Sequence, residues 1–151
     1  MEQNSTTPAS TARADQRLVA DWLTLWNGDY AAVGDIVAPD FGVHASILDG
    51  GDGSAVRGPD GLVGWIAQIR AAFTELVFTV EVGPIIDRDQ LALRWIAVGT
   101  YGGGFPGASA PVGTAIRFTG TDILRVEQGL IVDYWVNSDT HVLLAALGVQ
   151  L

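Results

Sequence analysis

Asp122 is the residue whose position in this sequence most strongly suggests chemistry. Read with the period of a β-strand, residues 116–126 place it on one face together with Ile116, Phe118, Gly120, Leu124 and Val126. The opposite face is mostly polar, with Arg117, Thr119, Thr121 and Arg125, so a solvent-facing position was open to an acid and Asp122 does not occupy it. Burial of an unpaired carboxylate costs free energy, or raises its pKa until it holds a proton. A carboxyl group in that state is a general acid or base near neutral pH.

The hairpin that follows Asp122 decides which residue lies beside it. If residues 127–129 form a three-residue loop, Asp122 pairs with Tyr134 and Gly120 pairs with Val136. We prefer this register because a two-residue loop turns the apolar faces of the two strands away from each other. Tyr134 then offers its hydroxyl to Asp122 as a second catalytic candidate, and Val136 leaves space beside Gly120. The alternative is structural: backbone amides, Tyr134 or an arginine satisfy a merely buried aspartate.

Histidine and arginine supply the remaining candidates for chemistry. His44 is a third catalytic candidate, although strict alternation in its strand also fits a solvent-facing position. Arg94 either accompanies Asp122 or lies outward at a subunit interface, and we favour the outward position. His141 falls in the terminal helix, and Asp139 precedes that helix as an expected N-cap residue. Because the two histidines are far apart and lack metal-ligand spacing, we predict no metal site.

Aromatic residues provide candidate contacts for a flat, apolar ligand. Tyr101 and Phe105 belong to the segment GTYGGGFPG, which lacks the lysine and the following helix of a phosphate-binding loop. We therefore predict a mobile flap over a cavity mouth. The other predicted substrate-binding residues are Trp65, Trp95, Trp135 and Val136. The alternative for each aromatic side chain is a place in the apolar core.

These candidates must be positioned by helices and strands of one α+β domain. Helical spacing predicts a first helix carrying Trp22 and Trp26, a short second helix ending before Pro39, and a third helix that opens at Gly58. A strand is expected at residues 41–48. From residue 76 the period changes to two, which predicts four antiparallel strands, and a last helix spans residues 140–147. Helices covering one face of a curved antiparallel sheet would enclose a cavity.

The composition limits the classes of function. The chain has 151 residues, 48% of them hydrophobic, which fits one domain, expected at residues 14–151 behind a disordered tail at 1–13. The formal charge is −9 and all eight cations are arginines, so we expect no nucleic-acid partner. Cysteine is absent. No apolar run approaches the roughly 20 residues of a membrane span and no secretory signal is evident, so we expect no membrane partner and a cytoplasmic location.

Six segments in order carry a resemblance to a known family: WNGDYAAV, VAPDF, RGPDGLVGWIAQIRAAF, LRWIAVGTYGGGFPG, QGLIVDYW and LLAALG. Together they make the stretch from Arg17 to Gly148 resemble the SnoaL-like polyketide cyclases of the nuclear-transport-factor-like superfamily. The resemblance implies a cone-shaped α+β barrel around a pocket, and commonly a homodimer. It also implies a cofactor-independent enzyme of secondary-metabolite or antibiotic biosynthesis that acts on a hydrophobic polyketide-like substrate.

The resemblance also bears on the mechanism. In aromatic polyketide cyclases of the family an aspartate on the last strand is the acid/base, and the matching position here is Val136. Where those cyclases have a pocket histidine on the preceding strand, this chain has Asp122. The acid/base role is therefore expected at Asp122. Two alternatives stay open: an epoxide hydrolase or isomerase of the same fold, and a non-catalytic module for ligand binding or dimerisation.

Overall fold

The computed structural model describes residues 7–46 and 50–150, and these contain four helices and five strands. In chain order they are α1 (Thr7–Trp26), α2 (Val33–Ile36), β1 (Val37–His44), α3 (Gly58–Arg70), β2 (Phe73–Asp87), β3 (Gln90–Tyr101), β4 (Ala115–Glu127), β5 (Leu130–Ser138) and α4 (Thr140–Leu147). None of the helices in these ranges combines the length and the apolar character that crossing a bilayer requires.

The five strands form one sheet in the order β1-β5-β4-β3-β2. Strands β2 to β5 pair antiparallel, as predicted, whereas β1 pairs in parallel with β5. The sheet is therefore mixed, which corrects the expectation of a purely antiparallel one. Because β1 and β2 are its two edges, the sheet is open rather than a closed barrel. The α+β class, with helices packed on a curved sheet, is confirmed.

The core lies between the helices and one face of the sheet. Along β3 the residues that face inward, Leu93, Trp95, Ala97 and Tyr101, are all buried. Helix α1 contributes Leu18, Trp22, Leu25 and Trp26 to the same cluster. Burial of these large side chains removes apolar surface from water, which is the main favourable term holding helix to sheet.

Several element ends differ from the sequence prediction. Helix α1 begins at Thr7, within the segment 1–13 that was predicted as a tail, and residues 1–6 lie outside those described. Strand β1 begins at Val37 rather than residue 41. Helix α4 spans residues 140–147 as predicted and ends at Gly148, whose φ of 71° suits glycine. Asp139 holds the N-cap position without capping, because its carboxylate accepts hydrogen bonds from Thr119 and Arg94 instead.

The turn between β4 and β5 contains two residues, not three. Gln128 and Gly129 have φ values of 51° and 81°, and Glu127 pairs with Leu130. Two successive positive φ angles match the type of turn whose twist suits a tight hairpin. Strain at Gln128, a residue with a side chain, is the local cost of this geometry.

A bulge in β5 restores the apolar pairing that such a short turn would otherwise lose. Val126 pairs with Ile131 whereas Arg125 pairs with Asp133, so β5 carries one extra residue between these pairs. Beyond the bulge, Asp122 pairs with Val136, and Tyr134 is the partner of Leu124. The predicted pairing of Asp122 with Tyr134 is therefore wrong by two positions. Tyr134 nevertheless keeps its predicted inward side.

Candidate acid/base site

Asp122 is the one charged residue among the described residues that is fully buried, with 2% of its surface exposed. Three neutral donors hold its carboxylate: Trp95 Nε1 and Tyr134 Oη donate to Oδ1 over 2.9 and 3.2 Å, and Trp22 Nε1 donates to Oδ2 over 3.1 Å. We call Trp22, Trp95 and Tyr134 the aromatic cage. Of the three, sequence reasoning paired only Tyr134 with Asp122. Trp22 was predicted only as a residue of the first helix.

The aromatic cage is assembled from distant parts of the chain. Trp95 comes from β3, Tyr134 from β5 and Trp22 from α1, one hundred residues before Asp122. Trp95 and Gly120 are Cα partners on neighbouring strands, and the indole lies directly over the glycine. A Cβ atom on residue 120 would lie 2.1 Å from Trp95 Cζ2, so only glycine lets the ring adopt this position. Gly120 therefore positions one of the three donors.

Loss of hydration dominates the electrostatics of this site. Burial raises the pKa of Asp122 from 3.8 to about 6, and the hydrogen bonds from Trp22, Trp95 and Tyr134 lower it only in part. No cation pairs with Asp122 in the described part of the chain. Burial, with the nearby Asp122 carboxylate, also raises the pKa of Tyr134 well above 10. Tyr134 is therefore a permanent donor and not a base.

The carboxylate keeps one acceptor position for a further proton. Each carboxylate oxygen can accept two hydrogen bonds. Oδ1 receives two from the aromatic cage, whereas Oδ2 receives only the one from Trp22. Oδ2 is thus the atom that can take a proton from another molecule without giving up its cage contacts.

The structure separates His44 from this site. Its side chain is 48% exposed and bonds through Nε2 to Asp133 Oδ1 over 2.9 Å. Its ring stacks on Trp135, which points to the same outer side of the sheet. The prediction that placed His44 with Asp122 and Tyr134 is wrong, since alternation in β1 turns His44 outward. Trp135 likewise lies away from the aromatic cage, because it follows the inward Tyr134 by one residue.

Arg94 also lies on the outer face, as we favoured from the sequence. Its guanidinium bonds to Glu81 over 3.0 Å and to Thr119 over 2.8 Å, and Asp139 also contacts it. Asp122 is on the opposite face of the sheet. Among the described residues, Arg94 therefore does not accompany Asp122.

Tyr101 and Phe105 lie together but far along the sheet from Asp122. The Phe105 backbone N–H donates to the Tyr101 hydroxyl over 3.0 Å. Tyr101 is six residues beyond Trp95 on β3, a distance of about 20 Å in an extended strand. Hydrogen bonds from Ser109 and Ala110 to the Leu147 carbonyl hold the loop against α4. The loop is thus attached to the last helix.

Val136 and Trp65 remain closer to the site. Val136 is the Cα partner of Asp122 and is half-buried. It also lines a groove of about 420 Å³ at the ends of β1 and β5, whose other walls include Trp135, His44 and Arg57. Trp65, on α3, is half-buried and packs edge-on against Trp26 at 5.7 Å between ring centroids.

Comparison with known proteins agrees with this fold. The family model described as SnoaL-like polyketide cyclase matches residues 16–147, so the chain belongs to the SnoaL-like polyketide cyclase family. IdmH of Streptomyces antibioticus, a candidate polyketide cyclase, is 28% identical, with a TM-score of 0.75 over 89% of this chain and 98% of IdmH.

Two further structures share the fold at lower identity. A candidate polyketide cyclase of Acidithiobacillus ferrooxidans has a TM-score of 0.78 at 18% identity, over 89% of this chain and 94% of its own. AclR of Streptomyces galilaeus, a candidate hydroxylase, has a TM-score of 0.72 at 22% identity, over 95% of this chain and 87% of its own. Comparison of the sequence with curated proteins found no significant match.

Proposed function

We propose that this member of the family is a cofactor-independent enzyme in which Asp122 is the general acid/base for a hydrophobic, polyketide-like substrate. The observation that carries the proposal is the buried carboxylate held by neutral donors only, with its pKa raised to about 6. At pH 7 a group with that pKa is ionised in about nine molecules of ten. Both protonation states are accessible near neutral pH, as catalysis requires.

The proposed chemistry starts at a C–H bond made acidic by a neighbouring carbonyl group. Asp122 Oδ2 takes the proton, and the electron pair of the C–H bond moves into an enolate. The enolate carbon then forms a C–C bond to a second carbonyl carbon of the same molecule, whose oxygen becomes an alkoxide. Protonated Asp122 returns its proton to that alkoxide, which regenerates the carboxylate. Trp22, Trp95 and Tyr134 keep their own protons and orient the carboxylate throughout.

A simple probe reaction tests the first step without knowledge of the natural substrate. Incubated in D2O, 2-acetylnaphthalene exchanges its methyl protons for deuterium if Asp122 removes them, and NMR follows this exchange. We expect Asp122→Asn to lower the catalysed rate about a hundredfold or more, because the amide cannot accept the proton. Asp40→Asn is the matched control at an exposed position and retains the rate. Equal rates in wild type and Asp122→Asn would refute the proposal.

A non-catalytic ligand-binding protein is the second candidate. The observations that favour it are the valine at position 136, where family cyclases have an acid, and the three donors that already engage Asp122. Such a protein would bind 2-acetylnaphthalene without accelerating exchange. Binding with no exchange above the buffer rate therefore selects this candidate.

We also propose that the protein forms a homodimer through the outer face of β2, β3 and β4. Two rows of aliphatic side chains on that face support the proposal. One row joins Val77 to Val98, and the other joins Ile85 to Ile123 through Ala92. Ile85 is 62% exposed and Val98 49%, although both are large aliphatic residues. Such a patch favours association because it exposes apolar surface to water.

A further inference from the structure

Trp26, the last residue of α1, carries an indole N–H group that the surrounding residues leave without a hydrogen-bond acceptor. Its side chain is 7% exposed and its rings contact four other aromatic rings. The centroid distances are 5.5 Å to Phe78, 5.7 Å to Trp65, and 6.2 Å to both Trp22 and Tyr134. Trp26 therefore borders two members of the aromatic cage.

The indole Nε1–H of Trp26 has no acceptor among the described residues. Buried indole N–H groups usually find one, and a buried donor that is left unpaired destabilises the fold. The neighbouring Trp22 and Trp95 both follow this rule, since each donates to Asp122. Trp26 departs from it within the same cluster.

The local fold gives no reason for this exception. The Trp26 carbonyl accepts a hydrogen bond from Arg70 over 2.8 Å, so the end of α1 is fixed without the indole nitrogen. Phenylalanine at this position would supply an aromatic ring without an unpaired donor. Trp26 contacts Tyr134, which donates to Asp122, and it also contacts the half-buried Trp65. The Tyr134 and Trp65 rings contact each other at 6.2 Å between centroids, so Trp26 belongs to a packed aromatic group that extends from the buried acid to a side chain that reaches the surface.

We propose that the Trp26 Nε1–H donates a hydrogen bond to the ketone oxygen of an aromatic ketone substrate bound against the Trp26 and Trp65 rings. The inference rests on the proposed function, because the same ketone acidifies the C–H bond whose proton Asp122 takes. The neutral N–H then faces the enolate oxygen as negative charge develops on it, where a hydrogen-bond donor lowers the barrier. Trp26 is in this account the residue that recognises oxygen in an otherwise apolar ligand.

Two probes that differ by one acceptor test this assignment. 2-Acetylnaphthalene carries the ketone oxygen, and 2-isopropylnaphthalene replaces it with a methyl group. The Trp26 indole resonance of 15N-labelled wild-type protein is identified by its loss in Trp26→Phe. We expect its proton to shift downfield with the ketone and not with the hydrocarbon. We also expect Trp26→Phe to weaken ketone binding about tenfold while hydrocarbon binding is kept. Tyr30→Phe, which removes a polar group from a half-buried aromatic residue outside the aromatic cage, is the matched control that keeps both affinities.

The outcomes separate this inference from the proposed function. A bound ketone that leaves the Trp26 resonance in place overturns the inference, whereas the exchange assay with Asp122→Asn still judges the acid/base role by itself. Equal losses of affinity for both probes in Trp26→Phe also overturn it, because they assign Trp26 to packing alone. Failure of both probes to bind the wild type overturns it as well, since aromatic ketones are then not the ligand class.

Discussion

At the scale of single residues, the ionisation of Asp122 depends on a balance between lost hydration and three neutral hydrogen-bond donors. Hydration loss is the larger effect, so the pKa of Asp122 lies at about 6 in the folded protein against 3.8 for an ordinary aspartate. The folded state therefore binds this proton more tightly than the unfolded state does. The raised pKa that suits the proposed acid/base role therefore lowers the stability of the folded protein at neutral pH.

The sign of this linkage gives a prediction for stability. Below about pH 3 both states hold the proton, so Asp122 does not lower the stability. As the pH rises from about 3 to about 7, the unfolded chain loses its proton first, so the free energy of unfolding falls by about 3 kcal/mol and then stays constant. Asp122→Asn lacks this contribution, so the difference in unfolding free energy between variant and wild type should grow by that amount from pH 3 to pH 7. Urea denaturation across this range measures it.

The comparison with the Asn variant cancels the titration of every other acid. Asp40→Asn, at an exposed position, should follow the wild type at each pH. At pH 7 Asp122→Asn gains less unfolding free energy than the loss of the charge alone would give. The reason is that the amide NH2 of asparagine faces an indole N–H whose hydrogen bond the carboxylate had accepted. A wild-type-to-variant difference that does not change with pH would show that Asp122 ionises at an ordinary pKa.

At the scale of secondary-structure elements, the site depends on how β3, β4 and β5 are aligned. The Trp95 indole reaches Asp122 only by passing over Gly120 on the neighbouring strand. The bulge in β5 keeps Tyr134 on the same side. Strand alignment, rather than any single side chain, thus fixes two of the three donors.

Gly120→Ala tests this dependence. The added Cβ overlaps the Trp95 ring, so the ring must move and its hydrogen bond to Asp122 is lost. We expect a loss of about 1–3 kcal/mol in unfolding free energy together with a slower exchange of 2-acetylnaphthalene. Gly64→Ala is the matched control, because a Cβ at that position of α3 meets no atom within 4 Å. The control should be neutral or stabilised by up to about 1 kcal/mol. Equal behaviour of the two variants would contradict the positioning role of Gly120.

At the scale of the whole molecule, the two faces of the sheet carry different kinds of residues. The inner face carries the core and Asp122, whereas the outer face carries the two aliphatic rows and the polar cluster around Arg94. With a net charge of −9, separate copies repel each other at long range, so association must come from close apolar contact.

Light scattering coupled to size-exclusion chromatography tests the proposed dimer. We expect a particle of twice the 15.9 kDa chain mass. Val98→Glu should convert it to a monomer, because a charge would then be buried in the contact. Val112→Glu is the control at a position that is 70% exposed and outside the sheet, and it should remain dimeric. A monomeric wild type, or a dimer insensitive to Val98→Glu, would exclude this interface.

The sequence by itself determined which residues face the core along each strand. The period of two placed Asp122 and Tyr134 on the inner side and favoured the outer side for Arg94, and the structure agrees at each position. Alternation is a local property of an extended backbone, so it can be read without knowledge of the partners. The last helix could also be predicted from the sequence, because Gly148 marks its end.

The tertiary structure alone decided which inward residues meet. The bulge that pairs Asp122 with Val136 depends on the fit of two strands, which leaves no fixed signal in one of them. Trp22 reaches Asp122 across one hundred residues because α1 packs on the sheet, and no local spacing predicts such a contact. The unpaired donor of Trp26 likewise depends on neighbours that only folding brings together. Local periodicity determines on which side of the sheet a residue lies, whereas the packing of distant elements determines which residues it contacts.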